Sequence, residues 1–458
     1  MPKFKTVYTC KNCGYTSYQW IGQCPNCNEW NSFVEDVISL KESKRTESPS
    51  SKSYVEPVKL SSVSSSVPPK RVSSGIGEFD RVLGGGFVPG QVVLLAGEPG
   101  IGKSTILTEI AKNLKDLKVL YVCGEESVDQ IKIRVSRMGY NAENLLVLPE
   151  TNVDIIVDNI DEKKEIGLVI VDSVQTLFSE ELLGSPGSLV QVRGCSQILT
   201  NTAKKTNIPI VLVGHVTKGG VVAGPKVLEH IVDTILYLEG DSQHLFRILR
   251  TSKNRFGAVS EVGIFEMVDN GIREVKNPSE LFLKQRLLKS PGSCVTVVME
   301  GNRPLLFEIQ ALTVPTSFGY PRRTSSGFSN TRLQVLVAVL EKRAGLSLNN
   351  YDVYVNVAGG FKVSEYATDL AVCLAIASSL INKPIKEDVA AFGECGLNGE
   401  LRQVTYQDKR MEEARKMGYE KIISSDSVKN ISEAIKKSLF GMERGLAPLQ
   451  SSPGRHSQ

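Results

Sequence analysis

Gly97-Glu98-Pro99-Gly100-Ile101-Gly102-Lys103-Ser104 follows the apolar run Val92-Val93-Leu94-Leu95-Ala96 and precedes the helical pattern Ile106-Leu107-Thr108-Glu109-Ile110-Ala111. Strand, glycine-rich turn and helix in that order make a phosphate-binding loop, because glycines let backbone N–H groups turn inward where a Cβ would block them. Lys103 is placed to reach β- and γ-phosphates, and the Ser104 hydroxyl to hold Mg²⁺. The helix N-terminus adds its positive pole. Gly97, Glu98, Pro99, Gly100, Ile101, Gly102, Lys103, Ser104 and Thr105 are therefore the expected contacts for ATP and its Mg²⁺.

Around this loop, strand and helix patterns alternate from about Ser74 to Val275. Strands are expected at Val119–Cys123, Leu168–Val171, Ile210–Val213, Thr234–Leu238 and Leu245–Leu249, with a helix over Leu189–Lys205. Such alternation predicts an α/β fold, a parallel sheet covered by helices on both faces, with functional residues at the C-terminal strand ends. Leu168-Val169-Ile170-Val171-Asp172 ends in the carboxylate expected to order the Mg²⁺ shell. Val119-Leu120-Tyr121-Val122-Cys123 leads to Gly124-Glu125-Glu126. Glu125 is favoured as the water-activating base and Glu126 is a close second; the alternative is that both simply cap the next helix. His215, at the end of another strand, reads as a γ-phosphate sensor or as a structural histidine. The stretches Glu180 to Val192 and Thr217 to Lys226 read as mobile loops that could line a DNA channel. In Arg250-Thr251-Ser252-Lys253-Asn254-Arg255-Phe256-Gly257, the cations Lys253 and Arg255 read as fingers for a neighbouring subunit's nucleotide, as DNA contacts, or as a solvated charge run.

The first block is of another kind. Cys10-x-x-Cys13 and Cys24-x-x-Cys27 each sit on a tight turn, an arrangement that can present four thiolates to Zn²⁺. Redox or loose structural cysteines are the alternatives. A knuckle so short needs metal to fold. Tyr8, Tyr15, Tyr18, Trp20 and Trp30 lie here, most of them expected in the knuckle's core, with base stacking as the other use. From Ser39 to Ser74 the chain turns to Ser, Lys, Glu and Pro, the composition of a flexible tether.

The totals agree with this division. A chain of 458 residues exceeds one core. Apolar residues make up 41% and charged residues 23%, ordinary for a globular protein, and the net charge of +4 is too small to identify a nucleic-acid partner. No apolar run approaches membrane-spanning length, and the start of the chain opens no signal peptide, so a cytoplasmic protein with no membrane partner is expected. Nine cysteines, an odd number, argue for a reducing compartment.

Taken together the chain resembles the bacterial RadA (Sms) family of DNA repair proteins. The knuckle Cys24-Pro25-x-Cys27-x-x-Trp30-Asn31, Ser74-Gly75-Ile76-Gly77-Glu78-Phe79-Asp80 before Gly84-Gly85-Gly86, the phosphate loop, Gly124-Glu125-Glu126-Ser127 and Gly214-His215-Val216-Thr217-Lys218 carry the likeness. Lys253-Asn254-Arg255-Phe256-Gly257 is its most specific element. The resemblance implies a RecA-like P-loop ATPase core, a hexameric ring, and ATP-driven translocation on single-stranded and branched DNA. It further implies work beside the RecA recombinase on recombination branches at the nucleoid, with Lys253 and Arg255 coupling ATP to DNA at the subunit interface.

The third block has an α+β pattern. Strands are expected at Cys294–Met299, Leu305–Ala311 and Val353–Asn356, helices at Arg332–Ala344 and Ala367–Ile381, and a last helix from about Asp408. It resembles the peptidase domain of Lon proteases. Ala367 falls in that family's serine slot, Ser364 and Thr368 lie beside it, and Lys409 stands near the lysine slot, so the peptidase chemistry is expected to be lost. Lys284, Arg286, Arg303, Arg322, Arg323 and Lys362 are candidate DNA contacts in a block that would serve ring assembly. The expected domains are a zinc-binding knuckle at 1–37, a linker at 38–73, the ATPase at 74–276, the Lon-protease-like domain at 277–441 and a tail at 442–458. The sequence also admits two rival functions, an ATP-dependent protease and a slowly hydrolysing nucleotide switch.

Overall fold

The computed structural model describes residues 3–10, 15–26, 28–40, 59, 70–162, 165–215, 225–240, 245–317 and 319–440. Most of the expected linker and the tail lie outside them. The chain forms two compact units, Met1–Lys276 and Asn277–Gln458.

At the start of the first unit, β1 (Lys3–Cys10), β2 (Thr16–Ser17) and β3 (Phe33–Leu40) form a small antiparallel sheet in the order β2-β1-β3. The strand β3 runs on to Leu40, and Val72 bridges Phe87, so both ends of the expected tether are drawn into ordered structure.

The larger core of this unit follows: α1 (Gly77–Leu83), β4 (Val92–Gly97), α2 (Lys103–Asn113), β5 (Lys118–Cys123), α3 (Val128–Arg137), β6 (Leu145–Leu148), α4 (Val153–Glu162) and β7 (Ile166–Asp172). Then come α5 (Leu189–Thr206), β8 (Ile210–His215), α6 (Pro225–Leu228), β9 (Thr234–Glu239), β10 (Phe246–Asn254), β11 (Val262–Val268) and β12 (Gly271–Glu274). Nine strands make one sheet in the order β12-β11-β10-β9-β4-β8-β7-β5-β6, which places the phosphate-loop strand β4 at its centre. Alternation along β4 explains the two-sided core. Val93 and Leu95 face one apolar cluster, with Ile106 and Ile110 of α2, while Val92 and Leu94 face the other, with Val192 and Leu199 of α5. Local signals set the helix starts: Ser127 and Gln130 form a reciprocal capping box on α3, and Ser188 caps α5.

The expected all-parallel sheet needs correction at one edge. The strands from β6 to β9 are parallel, but β10, β11 and β12 return antiparallel. The connection from β9 to β10 is too short for a helical crossover, so it turns back as a hairpin.

The second unit contains α7 (Pro278–Leu283), β13 (Ser293–Glu300), β14 (Arg303–Pro315), β15 (Arg323–Ser326), α8 (Asn330–Ala344), β16 (Tyr351–Val357) and α9 (Asp369–Ile381). It ends with β17 (Val389–Ala391), β18 (Glu394–Cys395), β19 (Leu401–Arg402), α10 (Gln407–Lys416), β20 (Lys421–Ile423) and α11 (Ile431–Phe440). Its main sheet has the order β15-β16-β14-β13-β17-β20, and the entirely apolar stretch Leu370–Ala377 of α9 is buried. The helix starting near Asp408 is not the last, because α11 follows it. The side chain of Arg286, a candidate DNA contact, is buried beside Ser293 and Glu308, which corrects that expectation. Burial pushes the Cys195 and Cys294 thiols up to about 12, in keeping with inert core cysteines. No described helix is long and apolar enough to cross a membrane.

Candidate active site

The loop between β4 and α2 wraps a cleft of 490 Å³ lined by Pro99, Gly100, Gly102 to Thr105, Glu125, Glu126, Gln130, Ile133, Arg134, Arg137, Asp172 and His215. Gly102 has a φ of +112°, a conformation that a side chain would strain, and it turns the chain into α2. Lys103 is buried, with Nζ donating to the carbonyls of Gly97 at 3.0 Å and Glu98 at 2.9 Å. Burial lowers its pKa below the ordinary lysine value, against the pull of Asp172 and Glu125.

Parallel pairing brings the expected carboxylates to this loop. Cys123 is level with Asp172 across β5 and β7, so Glu125 and Asp172 emerge side by side. The Ser104 hydroxyl donates to Asp172 Oδ2 at 2.7 Å, and the Tyr121 phenol donates to the same oxygen at 2.6 Å. Tyr121 is held in turn by Arg134, whose Nη2 donates to Oη at 3.2 Å. Burial, followed by the Asp172 charge, drives the Tyr121 pKa well above the phenol range, so it remains a donor. Arg134 also donates from Nε to Thr108 Oγ1 at 3.1 Å and from Nη1 to both Glu126 oxygens.

Glu125 accepts from the Ser173 hydroxyl and faces His215, whose Nε2 lies 3.2 Å from Glu125 Oε2. That approach lacks hydrogen-bond geometry: among the described residues, both ring nitrogens of His215 and the Oε1 of Gln175 are buried without a hydrogen-bond partner. Orphaned polar atoms at a strand end beside two carboxylates, a hydroxyl and a lysine suit a phosphate, its cation and a water. The donor set thus fits ATP with Mg²⁺: Lys103 and the loop backbone for phosphate, Ser104 and Asp172 for the cation.

Tyr121, Arg134 and Gln175 escaped the sequence reading. Tyr121 is the polar member of an apolar strand, and Gln175 lies three residues after Asp172; those were the available signals. Arg134 offered none beyond its place on an amphipathic helix.

The structure does not bring Lys253 and Arg255 to this cleft. Lys253 Nζ donates to the carbonyls of Glu229 and Val232, and Arg255 Nη1 to Asp233 Oδ1 at 3.0 Å. Asp233 in turn accepts from the amide of Val92, the first residue of β4. The phosphate loop starts at the other end of that strand, about 17 Å away at ~3.3 Å per residue. The segment is built against the three glycines that the sequence singled out. Arg71 donates to the carbonyls of Phe256 and Gly86, Asn254 donates to that of Leu83, and a Cβ on Gly84 would lie 3.1 Å from the Gly257 Cα. Of the expected mobile loops, residues 216–224 lie outside the described residues. The other is pinned, with Gln191 Nε2 donating to the carbonyls of Ser179, Leu182 and Gly184.

In the knuckle, Cys10 and Cys24 are fully buried around Phe33. Their turns repeat one hydrogen bond: Cys10 N donates to Tyr15 O and Cys24 N to Glu29 O. Two buried thiols on matched turns fit a thiolate zinc site; Cys13 and Cys27 lie outside the described residues. The aromatic residues correct an expectation. Tyr18, Trp20 and Trp30 are exposed and do not build the knuckle's core.

In the second unit, Ala367 is buried in a single helical turn, Tyr366–Thr368, and the Thr368 hydroxyl donates to the Glu365 carbonyl. Ser364 is exposed. The Lys409 ammonium lies over the Tyr406 ring, while the wholly buried Arg410 donates to both carboxylate oxygens of Glu365, at 2.8 and 2.7 Å.

Family models match three segments of the chain: the rubredoxin metal binding domain at residues 8–35, the AAA domain at 61–221 and subunit ChlI of Mg-chelatase at 323–427. The DNA repair protein RadA of Halalkalibacterium halodurans is 48% identical over 429 residues, 93% of each chain. That of Bacillus subtilis is 46% identical, covering 96% of this chain and 100% of its own. That of Listeria monocytogenes is also 46% identical, covering 95% and 99%. Among solved structures, the RadB recombinase aligns with 44% of this chain and 99% of its own at 23% identity, with a TM-score of 0.36.

Proposed function

The chain belongs to the DNA repair protein RadA family, and from that premise we propose that it is a DNA-dependent ATPase motor. In this reading it moves along single-stranded DNA and processes branched recombination intermediates beside the RecA recombinase. One observation carries it: Lys103, Ser104, Glu125 and Asp172 converge on one cleft, while Lys253 and Arg255 stand at the opposite end of the same sheet.

When bound, Mg²⁺ would neutralise phosphate charge and polarise the bond to be broken. Ser104 and Asp172 are the residues to hold it, and Lys103 with the backbone of Gly97 to Thr105 to hold the phosphates. Glu125 orients and deprotonates the attacking water, with His215 beside it to contact the γ-phosphate. Lys253 and Arg255 cannot reach the phosphates of their own chain across the length of β4. A head-to-tail ring, a hexamer in this proposal, gives them a neighbour's nucleotide to act on.

The Lon-like unit serves assembly and DNA binding in this reading. Ala367 supplies no nucleophile, and Arg410 is committed to Glu365.

Steady-state ATP hydrolysis with and without single-stranded DNA, for wild type and Lys253→Ala, tests the proposal. Strong stimulation that the substitution abolishes is expected. A wild type indifferent to DNA would leave a nucleotide switch in place of a motor.

A further inference from the structure

The carboxylate of Asp172 is held from behind as well as from the phosphate loop. On the buried face of β5 the Tyr121 phenol, 1% exposed, donates to Asp172 Oδ2 at 2.6 Å. Behind it the Arg134 guanidinium spends all three nitrogens on fixed partners: Nη2 on Tyr121 Oη, Nε on Thr108 Oγ1, and Nη1 on Glu126. Thr108 Oγ1 donates onward to the Ser104 carbonyl at 2.7 Å, so the network closes on the residue that shares Oδ2 with Tyr121. Both expected cation ligands, Ser104 and Asp172, are therefore tied to one arginine on α3.

A carboxylate has two oxygens, and a donor fixed on one of them sets how the other is presented. With Oδ2 occupied by Tyr121, rotation of Asp172 about its side-chain bonds is restricted and Oδ1 has one orientation. We propose that Tyr121 and Arg134 are positioning residues for the cation of the nucleotide, a relay that presents Asp172 to Mg²⁺ and couples its affinity to α3. This rests on the reading of Asp172 as a Mg²⁺-ordering residue. The partners of metal-holding groups commonly contribute about 10- to 100-fold in metal affinity.

The test uses the full-length protein, a fluorescent ADP analogue and a Mg²⁺ titration, comparing wild type, Tyr121→Phe and Arg134→Lys. Affinity for the nucleotide in EDTA and the melting temperature are measured in parallel. The expected result for Tyr121→Phe is a rise of about tenfold in the Mg²⁺ concentration needed for half-saturation. Affinity in EDTA stays at the wild-type value. Arg134→Lys keeps the charge but loses the fork, and should move the Mg²⁺ dependence in the same direction. An unchanged Mg²⁺ dependence in Tyr121→Phe overturns the relay. So does an equal loss of affinity with and without Mg²⁺, which would mean that the phenol only supports the fold. Should wild type bind the nucleotide no better with Mg²⁺ than without, the assignment of Asp172 itself fails.

Discussion

Arg134 grips Glu126 through both carboxylate oxygens, at 2.5 and 2.8 Å, and thereby separates it from its neighbour Glu125. The two residues are adjacent in sequence but face different partners: Glu126 a guanidinium on α3, Glu125 the Ser173 hydroxyl and His215. A carboxylate whose two oxygens both accept from a guanidinium nitrogen is occupied, whereas one facing the imidazole of His215 is placed to hold a water. Glu125→Gln should reduce turnover by about 10²- to 10⁴-fold with nucleotide affinity retained. Glu126→Gln should lower it less than tenfold (roughly 1 kcal/mol). Parallel hydrolysis and binding measurements decide between them, and the reverse ranking would exchange their roles.

Lys253 and Arg255 lie one strand length from the phosphate loop of their own chain. Lys253→Ala and Arg255→Ala should therefore leave nucleotide affinity intact while hydrolysis falls by about 10³-fold or more, as for fingers supplied in trans. Mixing Lys103→Ala with Lys253→Ala subunits should restore turnover above that of either alone, since some interfaces would then combine an intact loop with an intact finger. No gain on mixing would place the two cations in some role other than completing a neighbour's site.

Gly86 adopts a φ of +108°, and a Cβ there would come within 2.6 Å of the Val72 carbonyl oxygen. Gly86→Ala should weaken the bridge between Val72 and Phe87 and lower stability by about 1–3 kcal/mol, read by chemical denaturation. An unaltered denaturation midpoint would show that the segment before the core contributes little.

Restoring a hydroxyl should not restore peptidase chemistry. Arg410 donates to both carboxylate oxygens of Glu365, and a guanidinium offers no acceptor for a serine proton. Ala367→Ser is expected to leave casein intact with or without ATP. ATP-stimulated cleavage would revive the protease reading.

Cys24 is fully buried in a knuckle whose apolar core is small. Cys24→Ser should reduce bound zinc from about one ion per chain to none, measured by elemental analysis, while nucleotide binding by the ATPase core persists. Full zinc retention would rule the thiol out as a ligand.

The loop between β4 and α2 was legible from the chain alone because its pattern is contiguous: eight neighbouring residues carry the glycines, the lysine and the hydroxyl. The strand of Asp172 and the paired cysteine motifs were legible for the same reason, as short patterns whose spacing carries the geometry. Strand positions also followed from apolar runs, but the direction of β10 did not, because a strand pattern is the same in either sense and only the short connection from β9 sets it. The tertiary structure decided whatever depends on side chains distant in sequence. Tyr121 meets Asp172 across 51 residues, Arg134 separates two adjacent glutamates, and Arg71 braces Phe256 across 185. The exposure of Trp20 and Trp30 was likewise hidden, since an aromatic side chain reads the same in a core as on a surface until its neighbours are in place. Sequence spacing specifies backbone chemistry over one turn or strand; which side chains share a proton or a charge is settled only when packing brings separate strands to one edge.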